Sequence, residues 1–226
     1  KTGTLTQNKM TVVRLWTEGR TLEVTGEGYE PRGEVLENGR PVDLKRDAAL
    51  RRLVQVAALC NNARLVRAEE AGRPGRAGRR ADNADDWVLQ GDPTEGALIV
   101  LAAKLGVTVS SLEGLYRREK EYPFDSERKR MSVLVSHQGG RLVCTKGAPD
   151  LLMERCAYAL WDNKVVPFTP SLRQKAAEAA ERMAGSALRV LGLAYRDLRP
   201  HDPADSEADV EKQLIFVGLA GMIDPP

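Results

Sequence analysis

The sequence predicts an α+β fold in which strands and helices are mixed along the chain. Short runs rich in Val and Thr, bounded by Gly, Asn or Asp, predict strands. Longer segments with apolar residues at helical spacing predict helices. The two kinds of segment follow each other irregularly and without an internal repeat, which argues against a parallel doubly wound sheet.

The N-terminal part of the chain predicts two strands, a loop and a helix. Strand patterns occupy residues 9–15 and 20–25, and a Glu-Gly pair between them is typical of a hairpin turn. Residues 27–39 hold four Gly or Pro residues and predict a surface loop. In residues 44–60, apolar side chains recur at helical spacing and predict a helix.

Residues 64–86 predict a mobile insertion, because they contain almost no apolar side chains. Six arginines lie between Arg64 and Arg80, and acidic residues follow them. A basic arm that binds nucleic acid is the alternative. We favour a solvated loop, because the acidic half of the segment offsets the basic half.

Residues 92–104 give the clearest helix prediction. Asp92 is a good N-cap, and Pro93 suits the first turn, where a missing N–H costs nothing. Glu95 stands three residues after the cap, where a capping box has its carboxylate. Gly106 follows the apolar run and is typical of a helix end.

The rest of the chain predicts further helices and strands. Helical spacing occurs at residues 148–156 and 171–184, and residues 199–209 predict a polar loop. Strand patterns occupy residues 119–124, 130–136, 141–145, 189–195 and 213–222, with a tight Gln-Gly-Gly turn between the second and third of them.

Composition argues against several classes of function. Lys and Arg (34) nearly balance Asp and Glu (32), so the net charge of +2 gives no reason to expect a nucleic-acid partner. Cys60, Cys144 and Cys156 form no CxxC pair and the chain has two histidines, so neither a disulfide framework nor a zinc site is expected. No apolar run reaches the ~18 residues that span a bilayer, so we do not expect this chain itself to enter a membrane. Because it starts at Lys1 and stops abruptly at Pro226, we expect a fragment of a longer protein.

Five segments carry residues that point to a ligand. They are Lys-Thr-Gly-Thr-Leu-Thr at residues 1–6, Gly-Asp-Pro-Thr-Glu-Gly-Ala-Leu at 91–98, Tyr-Pro-Phe-Asp-Ser-Glu-Arg-Lys-Arg-Met-Ser-Val at 122–133, Cys-Thr-Lys-Gly-Ala-Pro-Asp at 144–150 and Leu-Arg-Val-Leu-Gly-Leu-Ala at 188–194. Each has an ordinary structural interpretation when taken alone, such as a strand end, a capped helix start or a strand-to-helix junction. Their combination and order are more informative than any one of them.

Taken together with the ending at residues 216–226, the five segments resemble the nucleotide-binding (N) domain of type II P-type ATPases, most closely that of bacterial calcium-transporting ATPases of the sarcoplasmic-reticulum type. The resemblance implies an antiparallel β-sheet flanked by helices. It also implies that residues 11–218 form the nucleotide-binding domain, with the mobile loop at residues 64–86. Residues 1–10 and 219–226 would be the connecting strand and the return hinge of a phosphorylation domain.

The resemblance implies that ATP is the ligand of this domain. The adenine ring would stack on Phe124, which is typically worth ~1–3 kcal/mol per base. Thr94 and Glu95 would face the adenosine, and the carboxylate would accept a hydrogen bond from the adenine amino group. Gly147 would let the backbone approach the ligand closely, because it has no Cβ. The other residues placed at the nucleotide are Lys129 on the phosphate side, Met131 in the adenine pocket, Lys146 at its floor, Ala148 next to Gly147, and Arg189 at the phosphates.

The nucleophile of the family is expected outside the chain. It is an aspartate directly before Lys-Thr-Gly-Thr, so here it would precede Lys1, and Thr2 would at most contact phosphate. One departure from the family is Ser126, which replaces an arginine of some animal calcium pumps, although Arg128 lies nearby. The resemblance therefore implies that the fragment binds ATP without useful turnover, and that Mg²⁺ is held mainly by the phosphorylation domain.

The resemblance also implies partners and a location. The partners would be the phosphorylation and actuator domains of the same full-length chain. The domain would lie on the cytoplasmic side of a membrane protein, and the membrane would be the bacterial plasma membrane. Calcium as the transported ion follows from kinship alone, and magnesium or another cation is the alternative. Two other classes stay open, a stand-alone adenine-nucleotide-binding module and a soluble phosphatase of the dehalogenase fold. The phosphatase would need an Asp-x-Asp nucleophile and a distal acidic metal site, and neither is evident in the sequence.

Overall fold

The computed structural model describes residues 9–70 and 87–224. The strands in this part of the chain are β1 Thr11–Thr17, β2 Arg20–Val24, β3 Val35–Glu37, β4 Arg40–Pro41, β5 Arg64–Arg67, β6 Trp87–Gln90, β7 Arg117–Asp125, β8 Arg130–His137, β9 Gly140–Gly147, β10 Cys156–Trp161, β11 Lys164–Pro167, β12 Arg189–Leu198 and β13 Leu214–Ile223. The helices are α1 Ala48–Leu59, α2 Pro93–Lys104, α3 Val109–Glu113, α4 Pro149–Glu154, α5 Pro170–Gly185 and α6 Glu207–Val210.

Most strands belong to one eleven-stranded sheet, in which the main order is β4-β3-β2-β1-β13-β12-β9-β8-β7. The neighbours along this path are antiparallel. β10 joins as a parallel neighbour of β13 and pairs with β11 on its other side. β5 and β6 form a separate antiparallel hairpin. The predicted α+β fold, an antiparallel sheet flanked by helices, is confirmed.

The sheet is covered by helices on both faces, with β13 at its centre. β13 is buried along nearly its whole length, so its sequence is a continuous apolar run without the alternation of a strand that has one wet face. On one face, Leu50 and Leu53 of α1 pack with Leu98 of α2. On the other face, α4 and α5 pack around Phe168 and Phe216, whose rings stack with their centroids 5.2 Å apart.

The structure corrects three boundaries. The loop predicted at residues 27–39 contains β3, which pairs with β4 across a turn at Asn38 and Gly39, both at positive φ (51° and 75°). The insertion predicted at residues 64–86 begins with a strand, because β5 pairs with β6, while residues 71–86 lie outside the described residues. The helix predicted over residues 148–156 ends at Glu154, and the next strand begins at Cys156.

Five short elements, β6, β10, β11, α3 and α6, were not predicted as helices or strands. Each has six residues or fewer, which is too short for a period to be recognised. α6 begins inside the predicted polar loop of residues 199–209. The other predicted strands and helices are present, with ends that differ by at most four residues. Within residues 9–70 and 87–224, no helix has both the length and the apolar character needed to cross a membrane.

Candidate functional site

The candidate site lies at the beginning of α2, near the start of β8, the end of β9 and the start of β12. Lys146 of β9 stands opposite Met131 of β8 and Leu193 of β12. Directly opposed residues of antiparallel strands have side chains on the same face of the sheet, so these three side chains point to one side. The hydrophobic layer formed by α1 and α2 covers that side.

Lys146 is the centre of a buried polar cluster. Its side chain is 8 % exposed, and its Nζ lies 2.6 Å from Oε1 of Glu95, whose side chain is 14 % exposed. The same Nζ donates a hydrogen bond to the carbonyl oxygen of Cys60 at 2.6 Å. Charge-assisted hydrogen bonds of this kind are short and strong, and they gain strength where little water competes. The ammonium that the sequence placed at the pocket floor is therefore held by a carboxylate of the same site.

Asp92 caps α2 as predicted, but Glu95 does not serve as the capping-box partner. Asp92 Oδ1 accepts hydrogen bonds from the N–H groups of Thr94 (2.8 Å) and Glu95 (3.2 Å). The carboxylate of Glu95 points away from the cap, toward Lys146 and the N–H of Asn62, which donates to its Oε2 at 3.2 Å. The Lys146 ammonium outcompetes the backbone N–H of the cap because it carries a full charge.

Three residues that the sequence analysis missed hold this carboxylate in place. The side-chain amide of Asn61 donates to the carbonyl oxygen of Glu95 at 2.9 Å. Arg118 donates to the Asn61 carbonyl oxygen at 2.9 Å and to Asn62 Oδ1 at 2.7 Å. The Asn61-Asn62 pair follows Cys60, the C-cap of α1, where the sequence alone gives no more than a turn signal.

Thr94 and Arg189, which the sequence placed at adenosine and phosphate respectively, contact each other. Arg189 Nη1 donates a hydrogen bond to Oγ1 of Thr94 at 3.0 Å. Thr94 is buried at the first turn of α2, whereas Arg189 is exposed at the beginning of β12. The positive end of the α2 dipole and this guanidinium therefore lie side by side, an arrangement that favours an anion.

Phe124 is an exposed aromatic residue on a strand. The pairing of β7 with β8 shifts by one residue between Tyr122 and Asp125, so Pro123 and Phe124 occupy a bulge. A bulge redirects side chains and tolerates a proline, which has no N–H to give to the ladder. As a result the ring of Phe124 is 61 % exposed. A large exposed ring costs free energy in water, which makes it a candidate contact for another flat apolar surface.

Lys129 ends a tight turn that Asp125 organises. The N–H groups of Glu127 and Arg128 donate to Oδ1 of Asp125, and these hydrogen bonds hold the pKa of its carboxyl below the usual range. Lys129 itself is exposed and has a positive φ of 53°. Its carbonyl oxygen accepts the N–H of Ala148 at 2.9 Å, which ties the turn to the beginning of α4.

Gly147 is explained by strand packing. An added Cβ would lie 2.5 Å from both the carbonyl oxygen of Lys129 and the Cβ of Arg130. Gly147 pairs directly with Arg130, so the two backbones approach where no side chain fits. The sequence-based reason for this glycine was a close ligand, whereas the structure provides a protein neighbour as the reason.

Met131 is 4 % exposed and packs in the apolar layer beneath the site. Its carbonyl oxygen accepts a hydrogen bond from the Cys60 thiol at 3.5 Å. Burial raises the pKa of the Cys60 thiol to about 11, partly offset by the charge of Lys146. Cys60 is therefore a protonated packing residue at neutral pH, and Cys144 and Cys156 are likewise buried free thiols.

The segment after Phe124 also differs from the sequence-based picture. Ser126 is exposed, but Arg128 is engaged elsewhere, with Nη1 at 2.6 Å from Glu211 and Nη2 at 2.7 Å from the Pro123 carbonyl oxygen. Arg128 therefore connects Glu211 to the backbone at Pro123. Thr2 lies outside the described residues.

The arrangement suits a flat ligand with hydrogen-bond donors and a negatively charged end. The exposed Phe124 lies on β7, two strands away from Lys146 of the Lys146–Glu95 pair, at a strand spacing of about 4.8 Å. A carboxylate has about four lone-pair sites, and Glu95 uses one for Lys146 and one for Asn62, so others remain for a donor. Arg189 and Lys129 supply positive charge nearby. None of these groups is arranged as a nucleophile beside a base.

Comparison with known proteins agrees with this picture. The family model for the P-type ATPase, cytoplasmic domain N, matches residues 49–226. Over its whole length the chain is 37 % identical to a calcium-transporting ATPase of Bacillus subtilis and 38 % identical to the cation-transporting ATPase pma1 of Synechocystis. It is 36 % identical to human calcium-transporting ATPase type 2C member 1. The chain spans 22–24 % of the length of these relatives. It therefore belongs to the family of P-type ATPase cytoplasmic N domains.

Proposed function

We propose that this chain binds ATP as the nucleotide-binding domain of a P-type cation pump, and that it delivers the γ-phosphate to an aspartate preceding Lys1. The observation that carries the proposal is the exposed ring of Phe124 on the same sheet as the buried Lys146–Glu95 pair. Membership of the N-domain family and the length of the relatives support a role within a larger protein. Transport and hydrolysis would belong to that larger protein.

Adenine recognition would combine stacking with one hydrogen bond. Phe124 offers an exposed ring face, and stacking of a base on an aromatic side chain is worth ~1–3 kcal/mol. The Glu95 carboxylate, held by Lys146 and Asn62, would accept from the adenine amino group. Guanine has a carbonyl acceptor at that position, which would face a carboxylate, so the site should prefer ATP over GTP.

The phosphate side would be formed by Arg189, Lys129 and the beginning of α2. Arg189 contacts Thr94 and is exposed, so its guanidinium has donors left for an anion. Lys129 is exposed at the end of its turn. Gly147 and Ala148 would shape the backbone edge of the pocket, with Met131 beneath it. Mg²⁺ would accompany the phosphates and be held mainly by the phosphorylation domain, which supplies the phosphoryl acceptor.

We propose calcium as the transported ion, because several relatives that match the whole chain bear the name calcium-transporting ATPase. A magnesium pump or another cation pump of the same family is the alternative. The phosphorylation and actuator domains of the full-length chain would then be the partners, on the cytoplasmic side of the membrane. A measurement of ⁴⁵Ca uptake by vesicles that contain the full-length pump separates calcium from the other ions.

Replacing Phe124 by alanine should weaken ATP binding without unfolding the domain. Loss of ~1–3 kcal/mol of stacking corresponds to roughly a 5- to 150-fold increase in Kd. The ring is 61 % exposed, so its removal should leave the free energy of unfolding nearly unchanged. Isothermal titration calorimetry with ATP and GTP on the wild-type chain and on F124A measures both the affinity and the base preference.

Leu115→Ala is the matched control, because Leu115 is similarly exposed (67 %) and does not belong to the proposed site. L115A should bind ATP with the wild-type Kd. A wild-type chain that does not bind ATP, or an F124A variant that binds as tightly as wild type, would contradict the proposed site.

A further inference from the structure

Glu211, which follows α6, forms a buried charge cluster behind the candidate site. Its side chain is 1 % exposed and lies 2.6 Å from Nη1 of Arg128 and 2.7 Å from Nε of Arg130. Ser132 Oγ donates a third hydrogen bond to it at 2.9 Å and meets Thr145 Oγ1 at 2.8 Å. The carboxylate is therefore almost completely buried and accepts three hydrogen bonds, two of them from arginines. A buried carboxylate of this kind favours the side-chain positions that keep all its partners, because losing one would leave its charge incompletely compensated.

The two arginines connect Glu211 to both ends of the segment that carries Phe124 and Lys129. Arg128 Nη2 donates to the carbonyl oxygen of Pro123, the residue directly before Phe124, at 2.7 Å. Arg130 Nη1 donates to the carbonyl oxygen of Arg128 at 2.9 Å. The segment 123–130, which we call the Phe124 turn, is thus tied at its bulge and at its return strand to one carboxylate more than 80 residues later in the chain.

This arrangement explains how an exposed ring keeps a defined position. Phe124 lies in a bulge, where the regular ladder of β7 and β8 is interrupted and cannot fix the backbone. The Arg128 hydrogen bond to the Pro123 carbonyl replaces that missing ladder contact. Holding a contact residue in its bound geometry before the ligand arrives lowers the entropy lost on binding. The burial of Glu211 supplies the rigidity that the bulge lacks.

We propose that Glu211 is a positioning residue for nucleotide binding, which acts through Arg128 and Arg130 to fix the Phe124 turn. This proposal rests on the proposed function, in that it assumes that Phe124 contacts the base. Glu211 does not touch the nucleotide. Arg128 serves as the link, so its loss should impair the binding of the base and not only that of the phosphates.

The test uses Glu211→Gln, Arg128→Met and their combinations with Phe124→Ala, titrated with ATP and with adenosine and monitored by NMR. Adenosine carries no phosphate, so it separates an effect on the ring from a direct contact of Arg128 with phosphate. E211Q keeps the size of the side chain and loses one acceptor oxygen. R128M leaves the Arg130–Glu211 pair in place, which keeps the test valid should E211Q fail to fold.

We expect R128M and E211Q to weaken both adenosine and ATP binding by about 3- to 30-fold, within the range of interaction energies between contacting residues. In the F124A background the same changes should cost no more than about twofold, because their effect passes through the ring. Arg20→Met is the control, since Arg20 joins Glu18, Glu37 and Asp47 in a comparable charge cluster that none of the site residues enters. R20M should bind both ligands like wild type.

Three results would overturn the proposal. Wild-type affinity for adenosine in R128M and E211Q would show that the Phe124 turn holds its position without Glu211. Losses that add fully to that of F124A would show that Glu211 acts elsewhere. Weaker ATP binding with unchanged adenosine binding would make Arg128 a phosphate contact. A different result is expected if the proposed function itself is wrong. In that case the wild-type chain would bind neither ligand, or F124A would bind as tightly as wild type.

Discussion

Replacing Lys146 by methionine is expected to lower the free energy of unfolding by about 3–5 kcal/mol, the usual cost of removing one partner from a buried ion pair. Lys146 and Glu95 are 8 % and 14 % exposed, so little water is available to solvate the remaining carboxylate. The Cys60 carbonyl oxygen would lose its donor at the same time. Methionine fills a similar volume, so the effect reports on charge and hydrogen bonding instead of on a cavity.

The same substitution should abolish measurable ATP binding by the proposed site. Without the ammonium, the Glu95 carboxylate would lose the partner that fixes its position, and it would no longer present a lone pair to the adenine amino group. Urea unfolding followed by circular dichroism gives the stability, and calorimetry on the fraction that remains folded gives the affinity. The two readouts separate the structural role of Lys146 from its role in binding.

Two further variants test whether the effect of K146M comes from the buried ion pair with Glu95. Lys164→Met, an exposed lysine on β11, should change stability by no more than about 0.5 kcal/mol. The double variant K146M/E95Q removes both charges and should be more stable than K146M alone, because no uncompensated charge stays buried. A K146M protein as stable as wild type, or a double variant less stable than K146M, would contradict the description of this ion pair.

Replacing Gly147 by alanine is expected to destabilise the domain by about 3 kcal/mol, at the upper end of the cost of overpacking. The new Cβ would come within 2.5 Å of the Lys129 carbonyl oxygen and of the Arg130 Cβ, a distance that requires the strands to separate. Lys129 is the residue that accepts the Ala148 N–H, so the junction between β9 and α4 would move with it. The Phe124 turn returns to β8 at the same place, so ATP affinity should fall as well.

Gly185→Ala provides the control for this substitution. Gly185 lies at the end of α5 with no heavy atom within 4 Å of an added Cβ, so alanine there should be neutral or slightly stabilising. Thermal unfolding of G147A, G185A and wild type gives the comparison. A G147A protein with the wild-type melting temperature would show that the two strands can separate at no cost, contrary to the packing seen here.

The long elements of this fold could be predicted from sequence because their signals are local. Asp92 and Pro93 mark the beginning of α2, and the helix begins there. The apolar run of β13 is likewise contained in neighbouring residues. Short strands could not be predicted in this way, because they form by pairing with strands that are distant in the sequence. β10 pairs with β13, which lies more than 50 residues away, and β5 with β6 across residues 71–86.

The candidate site was only partly predictable for the same reason. The motifs marked Glu95 and Lys146, but their ion pair joins residues 51 positions apart, and no spacing rule predicts it. Asn61, Asn62 and Arg118 carry no motif and become relevant through contacts with Glu95 or with each other. Arg128 lay within a recognised motif, yet its partner Glu211 lies 83 positions further along. Sequence reasoning thus predicted residues that would contact a ligand and missed the residues that hold them in place.

Intermolecular NOEs test most directly whether adenine binds between Phe124, Met131 and the Lys146–Glu95 pair. The chain has three phenylalanines, of which Phe168 and Phe216 are buried and Phe124 is exposed, so selective Phe labelling gives a signal that F124A assigns. Labelled methionine methyl groups, assigned with M131L, report on the pocket floor. With saturating ATP, we predict NOEs from the adenine H2 and H8 protons to the Phe124 ring and to the Met131 methyl group. Bound ATP whose adenine protons contact neither residue would contradict this prediction.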